Sequence, residues 1–399
     1  MNRVVISGIG VVSPLGSSFE ESMSGVENGI KGIDHIKNFN TDLFPMDLAA
    51  EVKESNSVYR SDLDIDRKEV FINKAMEEMF GKNKFIQNYP PEDRILNMGT
   101  GIDYFDIVSY IDSNDAGSGK WENYCKRSYK VAERLATKYK IEGGFSVNVA
   151  ACVASTQAMG LSFRMLKNVK KKIIITGGFD SMLSHLHYMG FYKLGAFSAW
   201  TGAPGEACRP FDKNRSGLVL GEGGIAFVFQ PEDEADRTDI LAEVTGYSST
   251  MDAYMVTAPD PEGRALANAA LSAIREAGIT PQDIDCVHLH GTGTPMNAPA
   301  ESKAMELIFG CRFKEIPVFS LKGQIGHLIG ACGAMEMIGV IYSLQNQKVP
   351  ATVNFKDPDP AAPLRVIKDN PLELNINHVL KLNSSFGGQN TAFVLKKYA

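Results

Sequence analysis

The chain predicts an α/β protein built from buried parallel or mixed sheets with helices packed outside them. Short apolar runs rich in β-branched residues recur along it, and helical stretches lie between them. Glycine-rich turns close several of the runs. Most runs show little polar alternation, as expected of strands covered on both faces.

In order, RVVISGI opens the chain as a strand running into glycines, and FSVNVA at 145–150 is the next clear strand. Residues 153–168 predict a helix with Ala154, Ala158, Leu161 and Met165 as one apolar stripe. KKIIITGG at 171–178 reads as a strand, and 263–278 predict a helix facing inward through Leu266, Ala270, Ala273 and Ala277. Thr280-Pro281-Gln282-Asp283 carries an N-cap residue, Pro at the first helical position and an acid in the first turn, the signature of a helix start. DCVHLH at 285–290 and PVFSL at 317–321 are strands, and VLKLN and TAFVL flank a final glycine turn. DSNDAGSGK at 112–120 is a surface loop. The charged break PEDEADRTD divides the chain into halves 1–238 and 239–399. Each half holds strand–turn–helix units, but no repeat is legible between them.

Composition narrows the function. The chain has 399 residues, 44% hydrophobic and 22% charged, which excludes a disordered protein. A net charge of −6 gives no whole-chain basic footprint for nucleic acid. No apolar run is long enough to span a membrane, and the first residues lack a signal-peptide core, so a cytoplasmic protein is expected. The six cysteines have no CxxC or finger spacing and read as free thiols in a reducing compartment. His185/His187 and His288/His290 form His-x-His pairs, a weak metal signal without a third ligand nearby. GIGVVSPLG misses the GxGxxG spacing, and neither GxxxxGK[ST] nor GxSxG occurs.

Four strand-end turns carry the candidate chemistry. Cys152 follows a strand and opens a small-residue helix, where free N–H groups and the helix dipole favour a thiolate. The same features fit a small core cysteine. His290 stands at the end of DCVHLH before GTGTP, where Gly291 and Gly293 let the backbone swing toward a cleft. His288 shares its strand parity but reads as a satisfied core histidine. Lys322 and His327 follow a third strand in SLKGQIGHLIGACGA, and SSFGGQN at 384–390 is a fourth turn. The last is either a plain hairpin or a source of an N–H for an oxyanion, with Phe386 lining a pocket.

With these residues in place, the chain resembles the elongating β-ketoacyl-acyl carrier protein synthases of the thiolase-like superfamily. The likeness runs from RVVISGIGVVSPLG through NVAACVAS, KIIITGGFDSM, CRPFDKNRSGLVLGEGG, MVTAPDPEG, HGTGTP and SLKGQIGHLIGACGA to SSFGGQN. The resemblance implies two similar halves in a five-layered αβαβα fold, usually dimeric. It implies Cys152 as acyl-accepting nucleophile, His290 and His327 as paired histidines, and Lys322 as the lysine of that site. Glu301 matches the glutamate after HGTGTP, and Phe386 matches a gating aromatic. Initiating synthases pair Cys and His with Asn, so His327 favours the elongating type.

The implied reaction loads an acyl group on Cys152, with the N–H groups of Cys152 and Phe386 on its oxyanion. A malonyl thioester then loses CO2, with neutral His290 and His327 donating to the enolate oxygen. No metal or redox cofactor is expected, and substrates ride on an acyl carrier protein. Carrier proteins are acidic, and Arg67 and Lys68 resemble the docking helix that would receive one; Lys126, Arg127, Lys130 and Lys170-Lys171-Lys172 are further basic candidates. Tyr104 and Val108 are expected near the pocket or a dimer interface.

Departures from the family pattern are Ala150, Ala154, Ala298 where Asp is usual, Ser385 where Gly is usual, and Gln389 where Thr is usual. They make the ketosynthase subunit of a polyketide or polyene system, paired with a chain-length partner, an alternative to fatty acid elongation. Thus a homodimer or a heterodimer is expected. A non-catalytic chain-length partner would lack the nucleophile, and a degradative thiolase would lack the HGTGTP and GH motifs.

Overall fold

The structure, a computed structural model, describes residues 2–53, 66–113 and 120–398. Residues 114–119 of the expected surface loop and the side chain of Val108 lie outside the described residues.

The first half contributes β1 (Val4–Val12), α1 (Arg67–Lys82), β2 (Arg94–Thr100), α2 (Ser128–Tyr139), β3 (Phe145–Val149), α3 (Ala154–Leu166), β4 (Ile173–Ser181) and β5 (Leu220–Pro231). The second contributes β6 (Ala242–Met251), α4 (Arg264–Glu276), β7 (Cys286–His288), α5 (Asn297–Phe309), β8 (Pro317–Phe319), α6 (Cys332–Asn346), β9 (His378–Ser384) and β10 (Gln389–Lys396).

Topology reveals the repeat that the residues hide. The first-half strands lie in the order β1-β5-β4-β2-β3 and the second-half strands in the order β6-β10-β9-β7-β8. Numbered within each half, the two orders are the same. So are the directions: the first two pairings of each set are antiparallel and the last two parallel. β1 pairs antiparallel with β6, placing Val4 opposite Val244 and joining the halves.

Alternation along the strands then sorts the core into layers. In β4, Ile173 and Ile175 pack with α1 and α2, while Ile174 faces the other way. In β10, Ala392 and Val394 pack with α4 and α5, while Phe393 and Leu395 face back. The inward faces of both halves meet α3 and α6 in one cluster that includes Met159, Phe163, Met335 and Ile338. The result is helices, sheet, central helices, sheet, helices: a thiolase-like αβαβα stack. Every residue of α6 from Cys332 to Leu344 is buried, which explains why that stretch is apolar around the helix except at Glu336 and Ser343.

Several elements differ from expectation. Leu161 is 51% exposed and Met165 36%, so the buried face of α3 runs instead through Ala154, Ala158, Met159 and Phe163. Their neighbour β3 is an edge strand with Phe145 and Val149 on the surface, not a strand covered on both faces. The Thr280 start signal yields only a single turn, Pro281–Asp283, because the chain must enter β7 three residues later. Its capping box nonetheless forms, with Asp283 accepting from the Thr280 N–H at 2.8 Å. DCVHLH and PVFSL keep ladder pairing over only three residues each.

The two central helices touch where α6 has Gly333. A Cβ there would lie 1.9 Å from the Thr156 hydroxyl oxygen of α3. Gly333→Ala is therefore expected to lower stability by about 1–3 kcal/mol. A thermal melting midpoint equal to that of the unaltered protein would contradict this helix contact.

Candidate functional site

Both central helices begin in the same unusual way. Ala151 and Ile329, each with φ of 46°, open single 3-10 turns that lead into α3 and α6. A left-handed β-branched residue is strained, and here neighbouring contacts hold it. Buried Asp180 accepts from the N–H groups of Gly101 (2.9 Å) and Gly330 (2.7 Å), and the Gly101 carbonyl accepts from the Ala151 N–H at 3.3 Å, so the two turns are linked through Gly101. Burial lifts the Asp180 carboxyl to about 6. Cys152 is the second residue of the first turn.

The insertion between β8 and α6 carries the rest. A short helix, Lys322–Ile325, ends at Gly326, whose φ of 66° turns the chain toward β5. There the His327 N–H donates to the Val219 carbonyl at 2.7 Å, and the Gly221 N–H to the His327 carbonyl at 2.9 Å. His290 lies just beyond β7, its N–H and that of Gly291 both given to the Glu301 carboxylate at 2.6 and 2.9 Å. Glu301 thus fixes the turn backbone and touches neither ring nitrogen. Burial raises it to about 7, against the pull of those two N–H groups.

These segments bring Cys152 Sγ and ring nitrogens of His290 and His327 within 4.8 Å of one another. The rings stand nearly perpendicular, with centroids 5.3 Å apart. Hydrogen bonding dictates their tautomers. His327 Nδ1 accepts from the Ile329 N–H at 3.1 Å, which leaves its proton on Nε2. His290 Nδ1 lies 3.2 Å from the Lys322 ammonium and 3.2 Å from the Asn383 amide nitrogen, both donors, so its proton is also on Nε2. Burial, then the Lys322 charge, pushes His327 down to about 3 and His290 well below its ordinary range. The site therefore holds two neutral imidazoles, each a single N–H donor.

Behind them lies a buried charge network that reading the sequence missed. Lys322 Nζ donates to the His290 carbonyl at 2.6 Å and pairs with Glu336 of α6. The other oxygen of Glu336 lies 3.3 Å from Lys381 of β9 and accepts from Asn383. Lys381 also donates to Asn383, whose carbonyl accepts from Thr156 Oγ1 at 3.1 Å. Burial opposes charge on Lys322, but Cys332 and Glu336 override it and hold the ammonium above its ordinary value. Glu336 is driven well down: burial works against it, but the two lysines win. The only signal for Glu336 was its i+4 position after Cys332 on a helix with no other charge, and Lys381 looked like an ordinary strand lysine.

Cys152 departs from the expectation of a helix-activated thiolate. Burial dominates and pushes the thiol up, with the Ser385 hydroxyl, the Lys322 ammonium and the Phe386 N–H pulling the other way. Its backbone N–H donates to Ser385 Oγ at 3.1 Å, so the β9–β10 hairpin closes directly on the sulfur. A cavity of 420 Å³ reaches this point, walled by Phe191, Leu194, Leu218, Met296, Ile329 and Phe386. Tyr104 does not line it but packs edge-on against His187 at 4.5 Å.

The His-x-His pairs do not act as units. His288 is fully buried against Phe319 with neither ring nitrogen bonded, and His187 Nδ1 meets Ser184 Oγ at 2.9 Å. Among the described residues, the group with metal-ligand geometry is Cys152, His290 and His327. The adjacent Lys322 ammonium disfavours a cation there.

Arg67 and Lys68 must be withdrawn as a docking surface. Arg67 is 5% exposed and Lys68 1%. Arg67 binds Glu222 through two nitrogens at 2.7 and 2.6 Å, and Lys68 Nζ donates to Ser128 Oγ and the Ile102 carbonyl at 3.0 and 3.1 Å. They lie in the first turn of α1, where that helix packs on the sheet, so their charges serve the interior.

Residues 1–235 match the family described as beta-ketoacyl synthase, N-terminal domain, and residues 241–356 match its C-terminal domain. The chain belongs to the beta-ketoacyl synthase family. It is 30% identical over 412 residues to 3-oxoacyl-[acyl-carrier-protein] synthase 2 of Synechocystis sp., covering 99% of this chain and 98% of the relative. The protein of the same name in Coxiella burnetii is 31% identical over 407 residues, with the same coverage. Among solved structures, a beta-ketoacyl synthase from Burkholderia phymatum STM815 superposes with a TM-score of 0.87 at 26% identity. The ishigamide ketosynthase/chain length factor does so with 0.88 at 25%, and each covers 100% of both chains.

In this synthase fold, burial first and the Lys322 ammonium second keep His290 uncharged. Lys322→Met is expected to raise the His290 pKa, so that the ring takes up a proton at a higher pH than in the unaltered protein. An NMR titration of the ring signals checks this, and an unmoved midpoint would refute it.

Proposed function

We propose that this chain joins an acyl group held on Cys152 to a malonyl unit delivered on an acyl carrier protein, releasing CO2 and lengthening the chain by two carbons. The observation that carries the reading is one sulfur beside two neutral imidazoles, each with its proton on Nε2, at the end of a mostly apolar cavity.

In the first half-reaction the Cys152 sulfur attacks the acyl thioester. The Sγ–C bond forms, the carrier's S–C bond breaks, and the departing thiolate takes the proton that Cys152 lost. In the second, the malonyl C–COO⁻ bond breaks and its electron pair becomes an enolate. Its oxygen takes hydrogen bonds from His290 and His327, which pre-aimed neutral donors stabilise better than water does. The enolate carbon then attacks the acyl carbonyl, the new C–C bond forms, the Sγ–acyl bond breaks, and its electron pair returns to Cys152 as the thiolate. The step draws on CO2 loss and calls on no metal or redox group.

The edge strand β3 supports an assembly of two chains. Phe145 and Val149 are exposed on the face of β3 turned away from α3, beside unpaired strand backbone, and Leu161 and Met165 are exposed on α3 on the other side of that edge. We assign this edge to a second copy of the chain. The likeness to the ishigamide ketosynthase/chain length factor favours a second reading, a specialised ketosynthase whose partner at this edge is a chain-length subunit.

His290→Ala and His327→Ala should each still accept an acyl group on Cys152 while slowing malonyl decarboxylation ~10²–10³-fold. Cys152→Ala should lose condensation altogether. Undiminished product from Cys152→Ala, followed by mass spectrometry of carrier-bound acyl groups, would end the reading. Val149→Asp should shift the sedimentation coefficient from dimer to monomer, and an unchanged dimer would place the contact elsewhere.

A further inference from the structure

We propose that the Ser385 hydroxyl is a catalytic group with two positions: it supports the Cys152 sulfur in the free protein and yields its place to the acyl oxygen once a thioester arrives. The proposal rests on the reading of Cys152 as the acyl acceptor.

The Cys152 N–H is the donor nearest the reacting sulfur, and an acyl oxygen on that sulfur must reach it. In the structure that N–H is already engaged, donating to Ser385 Oγ at 3.1 Å. The hydroxyl keeps its own hydrogen free to donate, and both it and the Phe386 N–H pull the Cys152 thiol down against the upward push of burial. Held on the Cys152 backbone N–H, it stands beside the sulfur of the same residue. A buried thiolate has few other donors to replace water, so such a bond favours the reactive form.

The backbone around Ser385 is fixed, which leaves its side-chain rotation as the moving part. The Ser385 N–H donates to the Gln389 carbonyl at 2.8 Å, and its carbonyl accepts from Gly388 at 3.0 Å. The next residue but one, Gly387, donates to the Val256 carbonyl at 2.7 Å. Gly387 and Gly388, with φ of 85° and 75°, make the tight turn that presses Ser385 onto Cys152. Adjacent Ser384 is committed elsewhere, its hydroxyl donating to Asn390 at 2.7 Å. Ser385 is half-buried and lines the cavity, so a rotation of about 120° between staggered wells carries Oγ off the N–H into open space. Arrival of the acyl oxygen supplies the acceptor that replaces it.

The two positions predict opposite effects on two reactions of the same sulfur. Iodoacetamide alkylation needs the thiolate but no oxyanion donor. Its pH–rate profile should move up by about one pH unit in both Ser385→Ala and Ser385→Gly, the loss of one hydrogen bond to a charged group. Ser385→Thr, which keeps the hydroxyl, should restore the original profile. Acylation by a small acyl thioester, measured above the shifted midpoint, should be equal to or faster than in the unaltered protein, because the N–H is vacant. An unshifted alkylation profile in either variant, a profile in Ser385→Thr that follows the alanine variant, or slower acylation at high pH would each overturn the proposal. Failure of Cys152 to alkylate preferentially in the unaltered protein would instead overturn the nucleophile reading beneath it, and needs no variant to see.

Discussion

The ion pair between Lys322 and Glu336 sits with both side chains fully excluded from solvent, and the reacting groups are arranged around it. Removing two charges from water is costly, and only mutual attraction plus added hydrogen bonds offsets that cost. Here Lys381, Asn383 and the His290 carbonyl complete the network. The pair spans the insertion before α6 and α6 itself, while Asn383 adds β9 and, through Thr156, α3. One polar cluster thus fixes the relative position of both central helices and the strand that leads to the Ser385 hairpin.

That cluster also sets the chemistry. A cation beside Nδ1 of His290 and a backbone N–H on Nδ1 of His327 force both rings to offer hydrogen from Nε2. Desolvation alone would keep the rings neutral, but it would not choose the tautomer. The same burial raises the Cys152 thiol, so the sulfur depends on local donors more than on the helix dipole expected from its position. A site built this way protects charge separation at the donors and leaves the nucleophile to be activated by its immediate neighbours.

Duplication explains how residues from distant parts of the chain meet. Each half places its third strand before a central helix, with a left-handed residue at the junction: Ala151 in one, Ile329 in the other. Cys152 and Gly330 occupy equivalent places, and Asp180 links the turns by way of Gly101. The first half keeps the short junction that presents a sulfur. The second inserts Leu321–Leu328, numbered 321–328, and with it the lysine and a histidine.

The strand runs at the start of the chain and at 145–150, 171–178, 285–290 and 317–321, the glycine turns and the positions of Cys152, His290, Lys322 and His327 were legible in the residues, because local backbone demands and motif spacing are written in adjacent letters. The strands at 94–100, 220–231 and 242–251 were not. Helix 264–276 was legible for the same reason: its inward stripe repeats at the helical period. Arg67 and Lys68 misled, because a basic pair at a helix start looks the same whether it meets solvent or a buried Glu222. Leu161 and Met165 misled likewise, since apolar spacing does not say which side of a helix has a neighbour. Glu336, Lys381 and the contact of Ser385 with Cys152 were decided by the tertiary structure alone. Burial, tautomer and charge compensation are properties of what surrounds a side chain, and those surroundings come from segments far apart in the chain.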